Sequence, residues 1–262
     1  MPEKTAYEPG EPNWIEISSP DVEAATAFYG GLFGWSSYSV SDPFVGDFTI
    51  FTLGDVTGPE VAGLTSLADD TVSATWTCYF TVRDASKAAD AVRRAGGRVY
   101  MEATDVAHLC RVVLAADDQG AGFGLWQPRA LAGCGVVGEP NTVNWMGLVS
   151  RDTAAARDFY RRVLGWKEPT VAQGLLVDSV YEWRIADGPV AFMVLADEEL
   201  LDDDLPAFWL PYFVVADCEA TVAAAKALGG SVIMPCTDTR YGPCAAVQDP
   251  ASAPLGLFQR RP

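Results

Sequence analysis

The sequence is short of the residue types from which several common active sites are built. It contains a single histidine, His108, and six cysteines that never form a Cys-x-x-Cys pair. A zinc site made of cysteine and histidine therefore has almost no ligands available, and a Ser/His/Asp triad would depend on His108 alone. The glycine patterns of a phosphate-binding loop, a dinucleotide-binding turn and a nucleophile elbow are also missing. These absences argue against the common nucleotide-dependent and triad-hydrolase classes.

Basic residues are scarce as well, because 18 Lys and Arg stand against 35 Asp and Glu, a formal net charge of −17. Such a negative field repels the phosphates of nucleic acids and of anionic membranes, so we expect neither as a partner. No apolar run approaches the roughly 20 residues needed to cross a bilayer. The polar segment 1–10 does not resemble a signal peptide. We therefore expect a cytoplasmic protein with reduced thiols.

What the sequence does contain is a long internal repeat. Asn13-Trp14 recurs as Asn144-Trp145, Phe28-Tyr29 as Phe159-Tyr160, and Gly34-Trp35 as Gly165-Trp166, each 131 positions later (144 − 13). Gly96-Gly97 and Trp126-Gln127 recur as Gly229-Gly230 and Phe258-Gln259, with a drift of at most two positions. The nearly constant offset predicts two duplicated halves, residues 1–128 and 141–262, joined by a Gly- and Pro-containing linker at 129–140.

Each half divides again into two similar quarters. An apolar run opens every quarter and ends near an aspartate that is placed to cap a following helix. These aspartates are Asp21, Asp84, Asp152 and Asp217. In the second and fourth quarters the glycine pairs suit a left-handed helix C-terminus. Further short β-type runs complete each quarter, so the sequence predicts the order β-α-β-β-β four times.

The repeated motif resembles that of the vicinal oxygen chelate superfamily, which includes glyoxalase I, bleomycin-resistance proteins, extradiol dioxygenases and fosfomycin-resistance enzymes. The motif is an Asp-headed helix, then Phe-Tyr, then Gly-Trp, and it occurs at Asp21…Phe28-Tyr29…Gly34-Trp35 and again in the second half. The chain is similar in particular to tandem, glyoxalase-like proteins of actinobacteria. The resemblance implies an α+β fold in which four βαβββ modules form two domains with cup-shaped mixed sheets.

In metal-binding members of that family, a His or Glu on each first strand and a Glu on the last strand converge on one divalent ion. The corresponding positions here hold Trp14, Thr77, Gly124, Trp145, Leu210 and Gly256. None of the six offers a carboxylate or an imidazole, and Glu16 is the one carboxylate close by in sequence. Because a catalytic metal typically takes about three protein ligands, we expect no metal site and no cofactor.

Strand alternation places the side chains in phase with those positions inside the cups. The candidate ligand-binding residues of the first cup are Trp14, Glu16, Tyr79 and Trp126, with His108 in a neighbouring loop. Those of the second cup are Trp145, Tyr212 and Phe258, with Arg240 and Tyr241 at the rim. Gly124 and Gly256 are expected to leave room for a ligand. Aromatic walls suit a flat, apolar guest, although inward-facing aromatic residues are also ordinary core residues.

These residues predict a metal-independent protein that binds a flat, largely apolar, aromatic small molecule, such as an antibiotic or secondary metabolite, for sequestration or resistance. The alternative is a metal-free enzyme or auxiliary protein in aromatic metabolite biosynthesis. It would carry out hydroxylation, isomerisation or ring rearrangement, with Glu16 and His108 as its catalytic groups. A metal-dependent glyoxalase or dioxygenase is the third hypothesis. The residues leave open the choice between binding and catalysis, and also leave a homodimer open.

Overall fold

The computed structural model describes residues 3–42, 46–68, 72–172, 180–185, 188–196, 206–239 and 241–261. Through them the chain runs as one strand, one helix and three further strands, four times in succession. The predicted α+β fold of four βαβββ modules is therefore confirmed.

The first half contains two of these modules. Its elements are β1 (Pro12–Ser19), α1 (Val22–Phe33), β2 (Trp35–Asp42), β3 (Gly46–Leu53), β4 (Glu60–Ser66), β5 (Thr75–Thr81), α2 (Ala85–Arg94), β6 (Arg98–Val106), β7 (Cys110–Ala116) and β8 (Gly122–Pro128). The second half repeats the same order. Its elements are β9 (Val143–Ser150), α3 (Thr153–Leu164), β10 (Thr170–Ala172), β11 (Val180–Ile185), β12 (Gly188–Leu195), β13 (Phe208–Val215), α4 (Cys218–Ala227), β14 (Ser231–Thr239), β15 (Gly242–Gln248) and β16 (Pro254–Gln259).

The four helices begin where the capping aspartates predict. Each aspartate has an extended backbone, and its carboxylate accepts a hydrogen bond from a backbone N–H in the first helical turn. Such a cap satisfies one of the amide groups that a helix leaves without a partner at its start. Helices α2 and α4 end just before the glycine pairs, where Gly96 and Gly229 have φ angles of 98° and 92°. Both helix boundaries are therefore set by local sequence.

Each half forms its own eight-stranded sheet. The strand orders are β2-β3-β4-β1-β5-β8-β7-β6 and β10-β11-β12-β9-β13-β16-β15-β14. The two sheets are mixed, because β1 runs parallel to β4 and antiparallel to β5, and β9 is placed in the same way. Modules that are neighbours in sequence thus pair with each other, and the first strands of the two modules lie side by side at the centre of each sheet.

The short β-type runs of the sequence coincide with β3, β7, β8, β11, β12, β15 and β16, but they leave out β2, β4, β6, β10 and β14. Four of them are the outer strands of the two sheets. The outer strands β6 and β14 alternate between exposed and half-buried residues, and neither has a fully buried face. A strand with little to bury has a weak hydrophobic pattern, so local sequence does not reveal it.

A single aromatic core joins the two halves. Phe80 of β5 packs against Trp166 and Trp209 of the second half, with ring centroids 5.3 and 5.0 Å apart, respectively. Phe213 of β13 packs in the equivalent way against Trp35 and Trp76 of the first half, at 5.8 and 5.6 Å. These contacts hold the outer faces of the two sheets together, so the opposite face of each sheet is the one that curves into a cup.

Buried hydrogen bonds reinforce this junction symmetrically. The Tyr29 hydroxyl donates to Asp249 Oδ2 at 3.0 Å, and the Tyr160 hydroxyl donates to Asp117 Oδ2 at 3.1 Å. Burial raises the pKa of Asp117 to about 6, although two backbone N–H groups and Tyr160 oppose that shift. The repeated Phe-Tyr motif therefore belongs to the packing between halves, and not to a cup. Among the described residues, no helix has both the length and the apolar character of a membrane span.

Candidate functional site

Cup 1 is a cavity of about 220 Å³ on the concave face of the first sheet. Its floor comes from the central strands β1, β4 and β5, and its walls come from β3, β6, β7, β8 and the segment after β8. The lining residues are Trp14, Glu16, Ser18, Phe48, Ile50, Gly63, Thr65, Tyr79, Met101, Val106, Leu109, Cys110, Val112, Leu114, Trp126 and Leu131. Polar groups are concentrated on the floor, while the walls are aliphatic and aromatic.

Glu16 is the acidic residue in the lining of cup 1. The Tyr79 hydroxyl donates to its Oε1 atom at 3.3 Å, and the Thr65 hydroxyl donates to the same atom at 3.4 Å. Both hydrogen bonds are long for O–H···O contacts, which are usually about 2.7 to 2.8 Å. The Oε2 atom accepts no hydrogen bond from any described residue and lies above Gly63, whose missing side chain provides the space. One carboxylate oxygen thus remains available to a ligand.

The surroundings of Glu16 favour its neutral form. Burial raises the pKa of Glu16 from 4.5 to about 7, and the two weak hydrogen bonds from Tyr79 and Thr65 only partly offset the effect. Loss of solvation destabilises a carboxylate unless strong donors replace the lost water. Glu16 therefore changes protonation near neutral pH, as required of a general base or acid.

Cup 2 is the equivalent cavity of the second sheet, and at about 470 Å³ it is roughly twice as large. Its lining residues are Trp145, Val149, Val180, Phe192, Val194, Phe208, Leu210, Tyr212, Ile233, Met234, Thr237, Cys244, Ala246 and Pro254. No acidic or basic side chain is among them. Burial also raises the pKa of the Cys244 thiol to about 11, so this thiol is neutral at physiological pH.

Strand register shows how the repeat diverged between the cups. Ser18 pairs with Thr65 in the first sheet, whereas Val149 pairs with Val194 at the same place in the second. Likewise, Glu16 pairs with Gly63, whereas Gly147 pairs with Phe192. The polar floor of cup 1 is therefore replaced by hydrocarbon in cup 2.

The glycines at the last-strand positions do not leave space for a ligand, contrary to the sequence-based expectation. A Cβ atom on Gly124 would lie 2.0 Å from the Tyr79 ring, and a Cβ on Gly256 would lie 2.3 Å from the Tyr212 ring. Each glycine instead makes room for the tyrosine of the neighbouring parallel strand. The register pairs Tyr79 with Gly124 and Tyr212 with Gly256, which explains the contact.

The predicted aromatic residues gather in the cups as ring clusters. Trp14 and Trp126 both line cup 1, with ring centroids 5.5 Å apart and planes tilted by 33°. In cup 2, Trp145 and Tyr212 line the cavity, but Phe258 does not and packs behind Trp145 at 4.7 Å. Phe258 thus supports the Trp145 ring without lining the cavity itself.

Two loop residues that the sequence suggested as ligand-binding, His108 and Tyr241, do not line a cup. His108 is exposed in the turn between β6 and β7 and does not line cup 1, so its placement gives it no contact with a guest there. Tyr241 is half-buried and contacts the Trp145 ring edge-on at 6.4 Å, outside the lining of cup 2. Arg240 lies outside the described residues.

Sequence reasoning missed the wall residues of cup 1 on β3, β6 and β7 and its floor residues on β4. Thr65 is the most important of them, because it hydrogen-bonds to Glu16 and also lies 3.1 Å from the Ser18 hydroxyl. The alternation of Phe48, Ile50 and Thr52 in β3 was a usable signal for the first of these walls. The contacts of β4 and β6 depend on strand pairing and had no local signal.

The cups do not fit the metal site of the related metalloproteins. The first-strand and last-strand positions carry indole rings, Thr77, Leu210 and glycines that tyrosine rings cover. Among the described residues, no group of three or more His, Cys, Asp or Glu side chains could hold a metal ion. Glu16 alone cannot provide the set of about three ligands that such a metal takes.

The family model of the Glyoxalase/Bleomycin resistance protein/Dioxygenase superfamily matches residues 11–125 and 142–253. The chain is 37% identical over 272 aligned positions to the anthracycline biosynthesis protein DnrV of Streptomyces peucetius, covering 98% of this chain and 96% of that protein.

Solved structures are similar in fold at low identity. The Mn(II)-bound glyoxalase from Novosphingobium aromaticivorans has a TM-score of 0.63 at 14% identity, covering 95% of this chain and 82% of its own. The 2,3-dioxygenase LapB from Pseudomonas sp. KL28 has a TM-score of 0.62 at 13% identity, covering 98% and 93%. With the four βαβββ modules, the two cupped sheets and the two family-model matches, the chain belongs to the glyoxalase/bleomycin resistance protein/dioxygenase superfamily.

Proposed function

We propose that this protein binds a flat, largely apolar aromatic molecule with a hydroxyl group in cup 1, and that it acts without a metal in the biosynthesis of an aromatic metabolite. The observation that carries the proposal is Glu16, a half-buried carboxyl group at the floor of an aromatic and aliphatic cavity. A cavity of about 220 Å³ suits a compact aromatic unit and not a bulky one.

The walls of cup 1 provide binding and the floor provides orientation. Trp14, Trp126 and Tyr79 present ring surfaces on which a planar guest gains dispersion and stacking contacts. A hydroxyl on the edge of the guest can donate a hydrogen bond to Glu16 Oε2, the oxygen that Tyr79 and Thr65 do not use. A guest lacking that hydroxyl leaves the carboxylate unpaired, which opposes binding.

Glu16 also has the protonation behaviour needed for a proton transfer. Its carboxylate takes the proton of the ligand hydroxyl, and the bonding electron pair stays on the ligand oxygen as a phenolate. The carboxylic acid can return that proton to a ring carbon and produce the keto tautomer. A pKa near 7 allows both steps at neutral pH. Tyr79 and Thr65 position the carboxyl group through their hydrogen bonds to Oε1.

The relative from Streptomyces peucetius supports the biosynthetic role over sequestration. It is similar along nearly the whole of both chains, and it is described as an anthracycline biosynthesis protein. Anthracyclines contain fused aromatic rings, and a compact aromatic unit is what the ring-lined cup 1 would hold. Sequestration remains the second candidate, because the apolar walls of cup 1 can hold a planar compound without any chemical step.

Binding in cup 1 is tested with 2-naphthol and, as its matched analogue, 2-methoxynaphthalene, which cannot donate a hydrogen bond. At pH 8 we expect 2-naphthol to quench tryptophan fluorescence through Trp14 and Trp126. Glu16→Gln should weaken 2-naphthol binding by about tenfold or more, since hydrogen bonds to charged groups are among the stronger ones. The affinity for 2-methoxynaphthalene should stay the same or rise in this variant, because the unpaired carboxylate that opposes its binding is gone. The control is Glu23→Gln, the same substitution at an exposed position of α1.

Proton transfer is tested separately by deuterium exchange at carbon 1 of 2-naphthol, followed by NMR in D₂O. The wild-type protein should accelerate exchange and Glu16→Gln should not. Binding without accelerated exchange would assign the protein to sequestration. Equal affinity of the wild type and Glu16→Gln for 2-naphthol would contradict the role of Glu16 altogether.

A further inference from the structure

We infer that cup 2 is a second, independent binding site, which takes a larger, uncharged polycyclic molecule and recognises a carbonyl oxygen of that molecule through the Tyr212 hydroxyl. The inference extends the proposed function from cup 1 to cup 2. It assigns the two cups of one chain to ligands of different polarity.

The first observation is that none of the described residues that line cup 2 is charged. Where cup 1 has Glu16, Ser18 and Thr65, cup 2 has Gly147, Val149 and Val194 at the equivalent strand positions. The phenyl ring of Phe192 occupies the space above Gly147, since a Cβ there would lie 2.5 Å from it. The ion pair of Glu182 and Arg184 on β11 is not part of this lining. A charged guest would thus lose its hydration without compensation.

The second observation is the state of the tyrosine hydroxyl shared by both cups. In cup 1 the Tyr79 hydroxyl donates to Glu16. In cup 2 the carboxylate is replaced, and the Tyr212 hydroxyl makes no hydrogen bond with any residue in the described ranges. Its ring is fixed by Gly256 beneath it and by Phe192 at 5.0 Å. Burial raises the pKa of Tyr212, so the hydroxyl keeps its proton and acts as a hydrogen-bond donor.

The third observation is size. Leu114 and Val112 of cup 1 correspond to Ala246 and Cys244 of cup 2, because the register pairs Leu114 with Gly124 and Ala246 with Gly256. Smaller side chains on this wall accompany the increase in volume from about 220 to about 470 Å³. The larger cavity is within the range of about 300 to 1,000 Å³ that is usual for small-molecule sites.

These three observations define one class of ligand. A buried donor without a partner discriminates strongly between a guest with an acceptor and one without. The aromatic residues Trp145, Phe192 and Phe208 favour a planar guest, and the aliphatic remainder favours hydrocarbon over charge. The structure therefore assigns to cup 2 a neutral, fused-ring ketone or quinone and no ionised compound.

The test uses the full chain and isothermal titration calorimetry with 9-fluorenone, a planar ketone, and fluorene, the same ring system without the carbonyl. Tyr212→Phe removes only the hydroxyl, and we expect it to weaken fluorenone binding about fivefold to tenfold, the cost of one neutral hydrogen bond. Fluorene binding should be unchanged. Ala246→Phe fills the cavity and should abolish the binding of fluorenone.

Cup 1 provides the folding control, because both variants should bind 2-naphthol as the wild type does. The inference is overturned if the wild type does not bind fluorenone, if Tyr212→Phe binds it with unchanged affinity, or if Ala246→Phe still binds it. Those outcomes leave the proposed function of cup 1 intact when 2-naphthol binding persists. If the wild type does not bind 2-naphthol, the proposed function of cup 1 is overturned, but the inference about cup 2 is not.

Discussion

The two cups share one backbone plan but differ in chemistry. In both, a tyrosine of a central strand, Tyr79 on β5 or Tyr212 on β13, lies over a glycine of the neighbouring parallel strand. Both cups are also lined by a tryptophan from the first strand of their half, β1 or β9. Cup 1 keeps a carboxyl group, two hydroxyl groups and a narrow cavity. Cup 2 has glycine and valine in place of the three polar residues, and it has smaller side chains on the wall formed by β15.

The difference shows that few positions control what such a sheet can bind. The exchange of Glu16 for Gly147 also changes which partner the neighbouring tyrosine hydroxyl has. The Tyr79 hydroxyl already donates its hydrogen bond to Glu16, whereas the Tyr212 hydroxyl can donate to a ligand. Leu114 of cup 1 corresponds to the smaller Ala246 of cup 2, while the register of the paired strands is the same. The floor and the wall thus differ between the cups at separate positions.

The largest expected effect concerns the charge in cup 1. Folding raises the pKa of Glu16 from 4.5 to about 7, so the folded chain holds this proton more tightly than the unfolded chain. The contribution of Glu16 to stability is therefore full below about pH 4.5 and is lost as the pH rises to about 7. With about 1.4 kcal/mol for each pKa unit, the loss amounts to about 3 to 4 kcal/mol.

Urea unfolding of the wild type and Glu16→Gln between pH 4.5 and 8 measures this contribution. We expect the difference in unfolding free energy to move in favour of the variant as the pH rises. Asp117 and Asp249, whose pKa values burial also raises, are present in both proteins and cancel in the difference. A difference that is independent of pH would show that Glu16 is ionised throughout and well solvated.

The next effect tests the feature that the two cups share. Gly124→Ala and Gly256→Ala place a methyl group 2.0 and 2.3 Å from the tyrosine rings, so the rings or strands must move. Overpacking of this kind costs about 1 to 3 kcal/mol of unfolding free energy. The control is Gly122→Ala in the same strand β8, where a Cβ meets no atom within 4 Å. Equal unfolding free energies of all three variants in urea would show that the tyrosine rings move aside at no cost in stability.

A smaller effect is expected from exchanging the wall residues between the cups. Ala246→Leu should lower the affinity of cup 2 for 9-fluorenone by about tenfold, or about 1.4 kcal/mol, because it narrows the larger cavity. Leu114→Ala should have the opposite result and admit fluorenone to cup 1. Calorimetric titration measures the affinity of Ala246→Leu for fluorenone and the number of fluorenone molecules bound by Leu114→Ala. Should Leu114→Ala leave the stoichiometry unchanged, this wall would not be what separates the two volumes.

The smallest effect is expected at His108, which the sequence suggested as a catalytic group. The side chain is exposed and outside the lining of cup 1, so His108→Ala should change the unfolding free energy by less than about 0.5 kcal/mol. Fluorescence titration should give the wild-type affinity for 2-naphthol. A marked loss of affinity would mean that the turn between β6 and β7 folds over the cavity when a ligand binds.

Local sequence was sufficient for most of the fold. The capping aspartates, the glycine pairs and the 131-residue repeat are signals between residues near in the chain or duplicated along it. They predicted four βαβββ modules and the helix boundaries, and strand alternation predicted that Trp14, Glu16, Tyr79, Trp126, Trp145 and Tyr212 face the cups. Each of these inferences needs only the geometry of a single element.

The tertiary structure alone decided what fills the cups. That Gly124 makes room for Tyr79 and not for a ligand, that Thr65 reaches Glu16, and that Phe192 covers Gly147 all depend on the register between strands far apart in sequence. The volumes of the cups likewise come from several strands acting together. Periodicity along one strand tells which side a residue faces, whereas pairing between strands determines what it meets there.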